Sequence, residues 1–194
     1  TGIGIIEDNR AYLGGDKVKN GDKIIISGTL GDHGMCIMNK RENLGFESSI
    51  KSDCCLLNKL IEDILSASNN VKVLRDPTRG GLATTLNEII EHSNISIEIE
   101  EEFIPVKPEV DAMCEILGLD PLFIANEGKV VVIVDKNDAD NVLNIMRQNP
   151  VGKDSVLLGE AINDGKNKLY LKTKIGGRRI INMPEGEILV RICW

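Results

Sequence analysis

Val71-Lys72-Val73-Leu74-Arg75-Asp76-Pro77-Thr78-Arg79-Gly80-Gly81-Leu82 decides the fold class. Val71 to Leu74 reads as a strand. The stretch from Asp76 to Gly81 is a turn. An amphipathic helix then runs to about His92, with Leu82, Leu86, Ile89 and Ile90 on its inner face. A strand that enters a glycine turn and leaves as a helix is the unit of an α/β or α+β chain.

The same alternation continues on both sides. Lys23-Ile24-Ile25-Ile26-Ser27 and Val130-Val131-Val132-Ile133-Val134 are continuous apolar runs, the pattern of strands buried on both faces. Ile95, Ile97 and Ile99 alternate as one face of a strand does. Short strands are expected near Ile3 to Ile6, 155–162, 168–173 and 179–182. Helices are expected from Asp32 to about Asn43, from Pro108 to Gly118, and from an Asp138 cap to Pro150. Ser52 or Asp53 is expected to cap a further helix that carries Leu56, Leu57, Leu60, Ile61, Ile64 and Leu65 inward. The fold class is therefore α/β (α+β): a sandwich-like domain of a mixed sheet packed with helices.

With 42% apolar and 27% charged residues the 194-residue chain is an ordinary globular one, large enough for a sizeable core. Aromatics are only 3%, so that core must be aliphatic. A net charge of −7 without a basic stripe excludes a nucleic-acid surface. No apolar run reaches the roughly 20 residues that span a bilayer. Five irregularly spaced cysteines and two histidines fit neither a disulfide framework nor a zinc site. They point to a reducing, cytoplasmic compartment. The chain opens on Thr1 without a signal peptide, and the expectation is that it begins inside a longer protein.

Four segments can carry chemistry. At Asp76, Thr78, Arg79, Gly80 and Gly81, free helix amides, the helix dipole, an arginine and two glycines without a Cβ to bar a close backbone approach suit a phosphate; a plain strand-to-helix turn capped by Asp and Thr is the alternative. Glu127, in Ala125-Asn126-Glu127-Gly128-Lys129, stands at a strand entrance, where a carboxylate that loses part of its water can accept a proton; a solvated turn is the alternative. His33, in Gly31-Asp32-His33-Gly34, can act on a proton or touch a phosphate, or simply open a helix. Cys193, near the end in Arg191-Ile192-Cys193-Trp194, can carry a covalent group on a mobile arm, or be packed and inert. Cys36, Cys114 and the Cys54-Cys55 pair read as structural.

Taken in order, these segments resemble one family. The blocks are Gly31-Asp32-His33-Gly34, Ser52-Asp53-Cys54, Arg75 to Thr84, Ile104-Pro105-Val106, Leu117 to Pro121, Ala125 to Lys129, Gly176 to Arg179 and Arg191-Ile192-Cys193. The chain resembles the C-terminal domain of the HypE hydrogenase maturation proteins, or carbamoyl dehydratases. These belong to the superfamily of aminoimidazole ribonucleotide (AIR) synthase and selenophosphate synthetase.

The resemblance implies an AIR synthase C-terminal-like domain over 1–182 and a flexible tail over 183–194, with the N-terminal ATP-binding domain absent from this chain. It implies that Cys193 receives a carbamoyl group from the carbamoyltransferase HypF. ATP, with Mg2+ held mostly by the absent domain, then drives dehydration to a thiocyanate. The cyanide passes to iron on a HypC–HypD complex for a nickel–iron hydrogenase. Glu127 is the implied base, Asp76, Thr78, Arg79, Gly80 and Gly81 the phosphate cradle, and His33, Asn126 and Arg191 auxiliaries, in a protein that dimerises.

Two departures stand out: Val190 replaces the family's proline, and Trp194 follows Cys193. Alone, the chain is expected to fold, to bind ATP weakly or not at all, and to be inactive. The competing readings are another ATP-dependent enzyme of the superfamily, or a non-catalytic docking module for maturation partners.

Overall fold

Ile24, Ile25 and Ile26 in β1 (Lys23–Ile26) and all four residues of β4 (Val131–Val134) are buried on both sides, because a helix layer covers each face of their sheet. The computed structural model describes residues 12–46 and 49–184. The expected strand at Ile3 to Ile6 and the tail from 185 onward lie outside these.

The remaining strands are β2 (Val71–Arg75), β3 (Ser96–Glu100), β5 (Val156–Ile162), β6 (Leu169–Lys172) and β7 (Arg178–Ile181). They form one mixed sheet in the order β2-β4-β1-β5-β3-β6-β7. Only β3 and β6 run parallel; every other neighbouring pair is antiparallel.

On one face α3 (Gly81–Ser93) buries Leu82, Ala83, Leu86, Ile89 and Ile90 against Ile24, Ile26, Val131, Ile133, Ile97 and Ile99. On the other, α2 (Asn58–Ala67) and α5 (Ala139–Gln148) set Leu60, Ile64, Val142 and Met146 against Ile25, Val132 and Val134. Side chains one residue apart on a strand feed opposite layers, as the pleat requires. A third cluster joins α1 (Asp32–Arg41) to α4 (Pro108–Leu117) through Met35, Val110, Met113, Cys114 and Ile124. Gly118, at φ 67°, ends α4 as expected, with its N–H on the carbonyls of Cys114 and Glu115.

Two caps differ from the sequence reading. The α2 helix starts at Asn58, five residues beyond Asp53, and Leu56 is 84% exposed. Asp53 is drawn elsewhere, as described below. Asp138 stands at the N-terminus of α5, but its carboxylate makes no cap bond. It accepts instead from Ser68 and from Asn70, which hold its pKa below the ordinary value.

The loop between β5 and β6 carries an acid-sensitive anchor. Asp164 accepts from Ser96 Oγ, Tyr170 Oη and the Lys166 N–H. The Ser96 bond does most to lower its pKa to about 2, although desolvation opposes it. A carboxyl whose folded pKa is depressed stabilises the fold above the unfolded pKa, near 4, and loses that contribution as pH falls toward the folded value. Asp164→Asn is therefore expected to flatten the stability curve between about pH 4 and pH 2. Urea midpoints measured across that range check it, and a variant curve parallel to the parent's refutes it.

Candidate functional site

Four loops meet around Asn126. This residue is fully buried, and each polar group of its side chain is used. Oδ1 accepts the Gly31 N–H at 2.8 Å, and Nδ2 donates to the carbonyls of Ile124 (2.9 Å) and Pro77 (3.2 Å). The Asn126 N–H also donates to Pro77 O, at 3.1 Å, and Thr78 Oγ1 donates to Asn126 O at 3.1 Å. The Gly34 N–H donates to Ala125 O. Asn126 thus ties the start of α1 and the turn before α3 to the loop that carries Glu127.

Replacing Asn126 with Ala takes this partner from the buried Gly31 N–H and the Ile124 carbonyl, while Pro77 O keeps the backbone N–H of residue 126. The expected loss is about 2 kcal/mol or more. A denaturant titration tests this; an unchanged midpoint would mean water replaces the amide.

Asp53 brings in the fourth loop. Its Oδ1 accepts from the N–H groups of Glu127 (3.1 Å) and Gly128 (3.4 Å), and its Oδ2 lies 3.2 Å from Lys129 Nζ. Both partners of this ion pair are largely buried, with side chains 3% and 12% exposed. This explains the late start of α2, since the carboxylate expected to cap the helix is occupied by residues 127–129. A Cβ on Gly128 would stand 1.8 Å from the Asp53 carbonyl oxygen, so only glycine fits.

Glu127 therefore sits on a backbone fixed from two sides. Its side chain is a quarter exposed, and its Oε1 lies 4.0 Å from His33 Nε2. His33 is buried on the first turn of α1, with Nδ1 2.9 Å from Ser52 Oγ and 3.6 Å from Cys54 Sγ. Its neighbour Asp32 is engaged away from it by Thr29 Oγ1 and Lys107 Nζ.

The turn from Asp76 to Gly81 is the less committed part. Asp76 and Arg79 are exposed. Among the described residues Arg79 pairs with no carboxylate, whereas Arg75 pairs with Glu88. Thr78 is partly buried and spends its hydroxyl on Asn126 O. Gly80 and Gly81 have φ of 70° and 64°. A Cβ on Gly81 would lie 2.5 Å from Leu122 O and 2.6 Å from Ile124 O. The close approach read from this glycine is therefore made first to the protein's own backbone.

Sequence reasoning picked out Glu127, His33 and Asn126 but gave Ser52, Asp53 and Lys129 no place in the site. Their signal was their place in the same motif blocks. Cys54 and Cys55 are exposed, not packed within the core, while Cys36 and Cys114 are buried as expected. Burial pushes the Cys114 thiol up to about 11, so it stays protonated and inert. Cys193 and Arg191 lie outside the described residues. A groove of about 720 Å³ runs between residues 12–16, β2 and the C-terminal half of α3, and none of the candidate residues lines it.

A mixed sheet between helix layers, with four loops knitted at one end, is an AIR synthase type of domain. The family described as AIR synthase related protein, C-terminal domain, matches residues 19–172, and the chain belongs to it. More particularly, the chain is 47% identical over 193 residues to the carbamoyl dehydratase HypE of Cupriavidus necator, covering all of this chain and 55% of that protein.

Two solved structures extend the likeness. A HypE–HypF complex superposes with a TM-score of 0.87 at 44% identity, over 91% of this chain and 57% of the other. A hydrogenase maturation protein HypE in complex with ATP gives 0.86 at 39% identity, over 93% of this chain and 55% of the other. The chain thus spans about half the length of the curated relatives it matches.

Proposed function

We propose that this chain is the C-terminal part of an ATP-dependent carbamoyl dehydratase that works on its own terminal cysteine. In this reading residues 1–182 form the domain, 183–194 the carrier tail, and a preceding ATP-binding domain completes the enzyme. The observation that carries it is the identity of 47% along the whole chain to a carbamoyl dehydratase, joined to the placing of Glu127 and His33 on one fixed framework.

The chemistry sets what the site must do. An S-carbamoyl group on Cys193 loses its oxygen and both nitrogen protons to become a thiocyanate. Oxygen leaves well only as phosphate, so the carbamoyl oxygen first takes the γ-phosphoryl group of ATP and ADP departs. Glu127 accepts protons from the nitrogen. The Asp53 bonds hold the backbone of this base rigidly, which is what positioned proton transfer requires. The turn at Asp76, Thr78, Arg79, Gly80 and Gly81 faces the transferred phosphate, with Arg79 supplying charge and the start of α3 supplying amides.

Magnesium accompanies ATP on the preceding domain. Among the described residues, no group of three or more histidines, cysteines or carboxylates is placed to hold a metal ion.

The partners follow from the same reading. HypF carbamoylates Cys193, a HypC–HypD complex takes the cyanide to iron, and the whole protein dimerises in the cytoplasm. The HypF assignment rests on the complex formed by a 44% identical relative. Among the described residues no helix is long and apolar enough to cross a membrane.

The test is intact-mass analysis of the whole protein incubated with HypF, carbamoyl phosphate and ATP. The expected result is a carbamoyl adduct on Cys193 that loses one water only when ATP is present. An unmodified Cys193 beside an active transferase overturns the carrier role. Removing Trp194 in parallel shows whether the bulky last residue slows entry of the tail.

A further inference from the structure

Dehydration of a carbamoyl group removes two protons from one nitrogen, and a carboxylate holds only one. Glu127 must therefore be emptied between the two removals. The dehydratase reading leaves that step unassigned, and the inference drawn here rests on that reading.

We infer that His33 is the relay that empties Glu127. Between the two deprotonations, the Glu127 carboxyl passes its proton to His33 Nε2 and becomes a base again. Four observations carry this.

His33 Nε2 is buried without a hydrogen-bond partner among the described residues, and the nearest carboxylate oxygen paired with it is Glu127 Oε1 at 4.0 Å. That gap closes with a movement of about 1 Å, and catalytic contacts are commonly long before substrate arrives. The other ring nitrogen is engaged: Nδ1 lies 2.9 Å from Ser52 Oγ. In the tautomer that carries its proton on Nδ1, that N–H donates to Ser52 Oγ and the lone pair of Nε2 is directed at Glu127. Third, the two partners are held to one another by backbone. The Gly31 and Gly34 N–H groups on either side of His33 bind Asn126 Oδ1 and Ala125 O, in the segment that leads into Glu127. Last, a route outward exists, since Ser52 and Cys54, next to Nδ1, are exposed.

The steps balance. In the first, the carbamoyl oxygen attacks the γ-phosphorus, ADP leaves, and one N–H proton moves to Glu127, giving an imidate phosphate. Glu127 then gives that proton to Nε2, and the imidazolium releases the Nδ1 proton toward Ser52 and solvent. In the second step Glu127 takes the remaining N–H proton. The C–O bond breaks with its electron pair leaving on phosphate, and the C≡N bond is completed. No reactant beyond ATP is needed. His33 acts through Glu127 and never touches the substrate, so it is a positioning residue in this scheme.

The experiment uses the full-length protein already carbamoylated on Cys193, mixed rapidly with ATP. ADP, phosphate and the mass of the tail are followed in a single turnover. In the parent protein, ADP and thiocyanate are expected to appear together. In His33→Gln, ADP is expected at the parent rate, thiocyanate about 100-fold more slowly, and a phosphorylated tail in between. In His33→Ala, added imidazole is expected to restore thiocyanate formation. If both variants form thiocyanate at the parent rate, or lose ADP and thiocyanate equally without rescue by imidazole, His33 only packs the site and the inference is overturned. If the parent protein forms no thiocyanate, the dehydratase reading itself falls, and the relay falls with it.

Discussion

Glu127→Gln is expected to slow thiocyanate formation by roughly 10²- to 10⁴-fold, the usual contribution of a positioned base. The exchange preserves size and shape but removes the basic lone pairs. The framework should survive it, because Asp53 and Asn126 hold the backbone of this loop. Carbamoylation of Cys193 and binding of HypF are therefore expected to stay at the parent level. Mass analysis of the tail over a single turnover reads both quantities at once. A variant that loses carbamoylation as well would shift Glu127 from proton acceptor to tail docking. A docking module without catalysis would be indifferent to the change.

Asp53→Ala should cost roughly 3 kcal/mol of stability or more, because it strands a buried cation and two backbone donors. Lys129 is only 12% exposed, and Asp53 is the carboxylate it pairs with; the Glu127 and Gly128 N–H groups lose their acceptor at the same time. Urea unfolding of the chain measures the loss. The double variant Asp53→Ala with Lys129→Met should recover part of it, since the uncompensated charge is then gone as well. If the single variant unfolds at the parent's midpoint, the pair is solvated and contributes nothing. Activity of the whole protein should fall with Asp53→Ala even where it remains folded, because the peptide carrying Glu127 is no longer fixed.

Much of this architecture was legible in the chain. The isoleucine run at 24–26 and the valine-rich run at 130–134 announced doubly buried strands, and both are central in the sheet. Gly118 and Pro108 marked the ends of α4 because each acts through its own backbone, whatever surrounds it. Asp53 and Asp138 were misread as caps for the opposite reason. A carboxylate near a helix start has local amides to bind, but in both cases a partner distant in sequence binds it instead: residues 127–129 for Asp53, and Ser68 with Asn70 for Asp138. No local pattern carries that information.

The site shows the same divide. Glu127 and His33 were visible as candidates, whereas their 4.0 Å approach follows from bonds between residues 31 and 34 and residues 125 and 126. Likewise Gly81 signalled a close approach, but the neighbour proved to be the backbone at 122–124.

The strand order has a consequence in time. The central strand β1 finds both of its neighbours, β4 and β5, more than one hundred residues downstream. At a synthesis rate of roughly 5–20 residues per second, three consecutive isoleucines wait on the order of five to twenty seconds for a partner. Pairings of this range also make the search for the native sheet slow. Residues 31–34, which directly follow β1 and its turn, share most of that wait, because their anchors at 125–126 are made only just before β4. The loops around Glu127 and His33 thus cannot come together until about two thirds of the chain has been made, and they still precede Cys193. In the proposed reaction, the birth order of the polypeptide places the acceptor of protons ahead of the thiol that brings them.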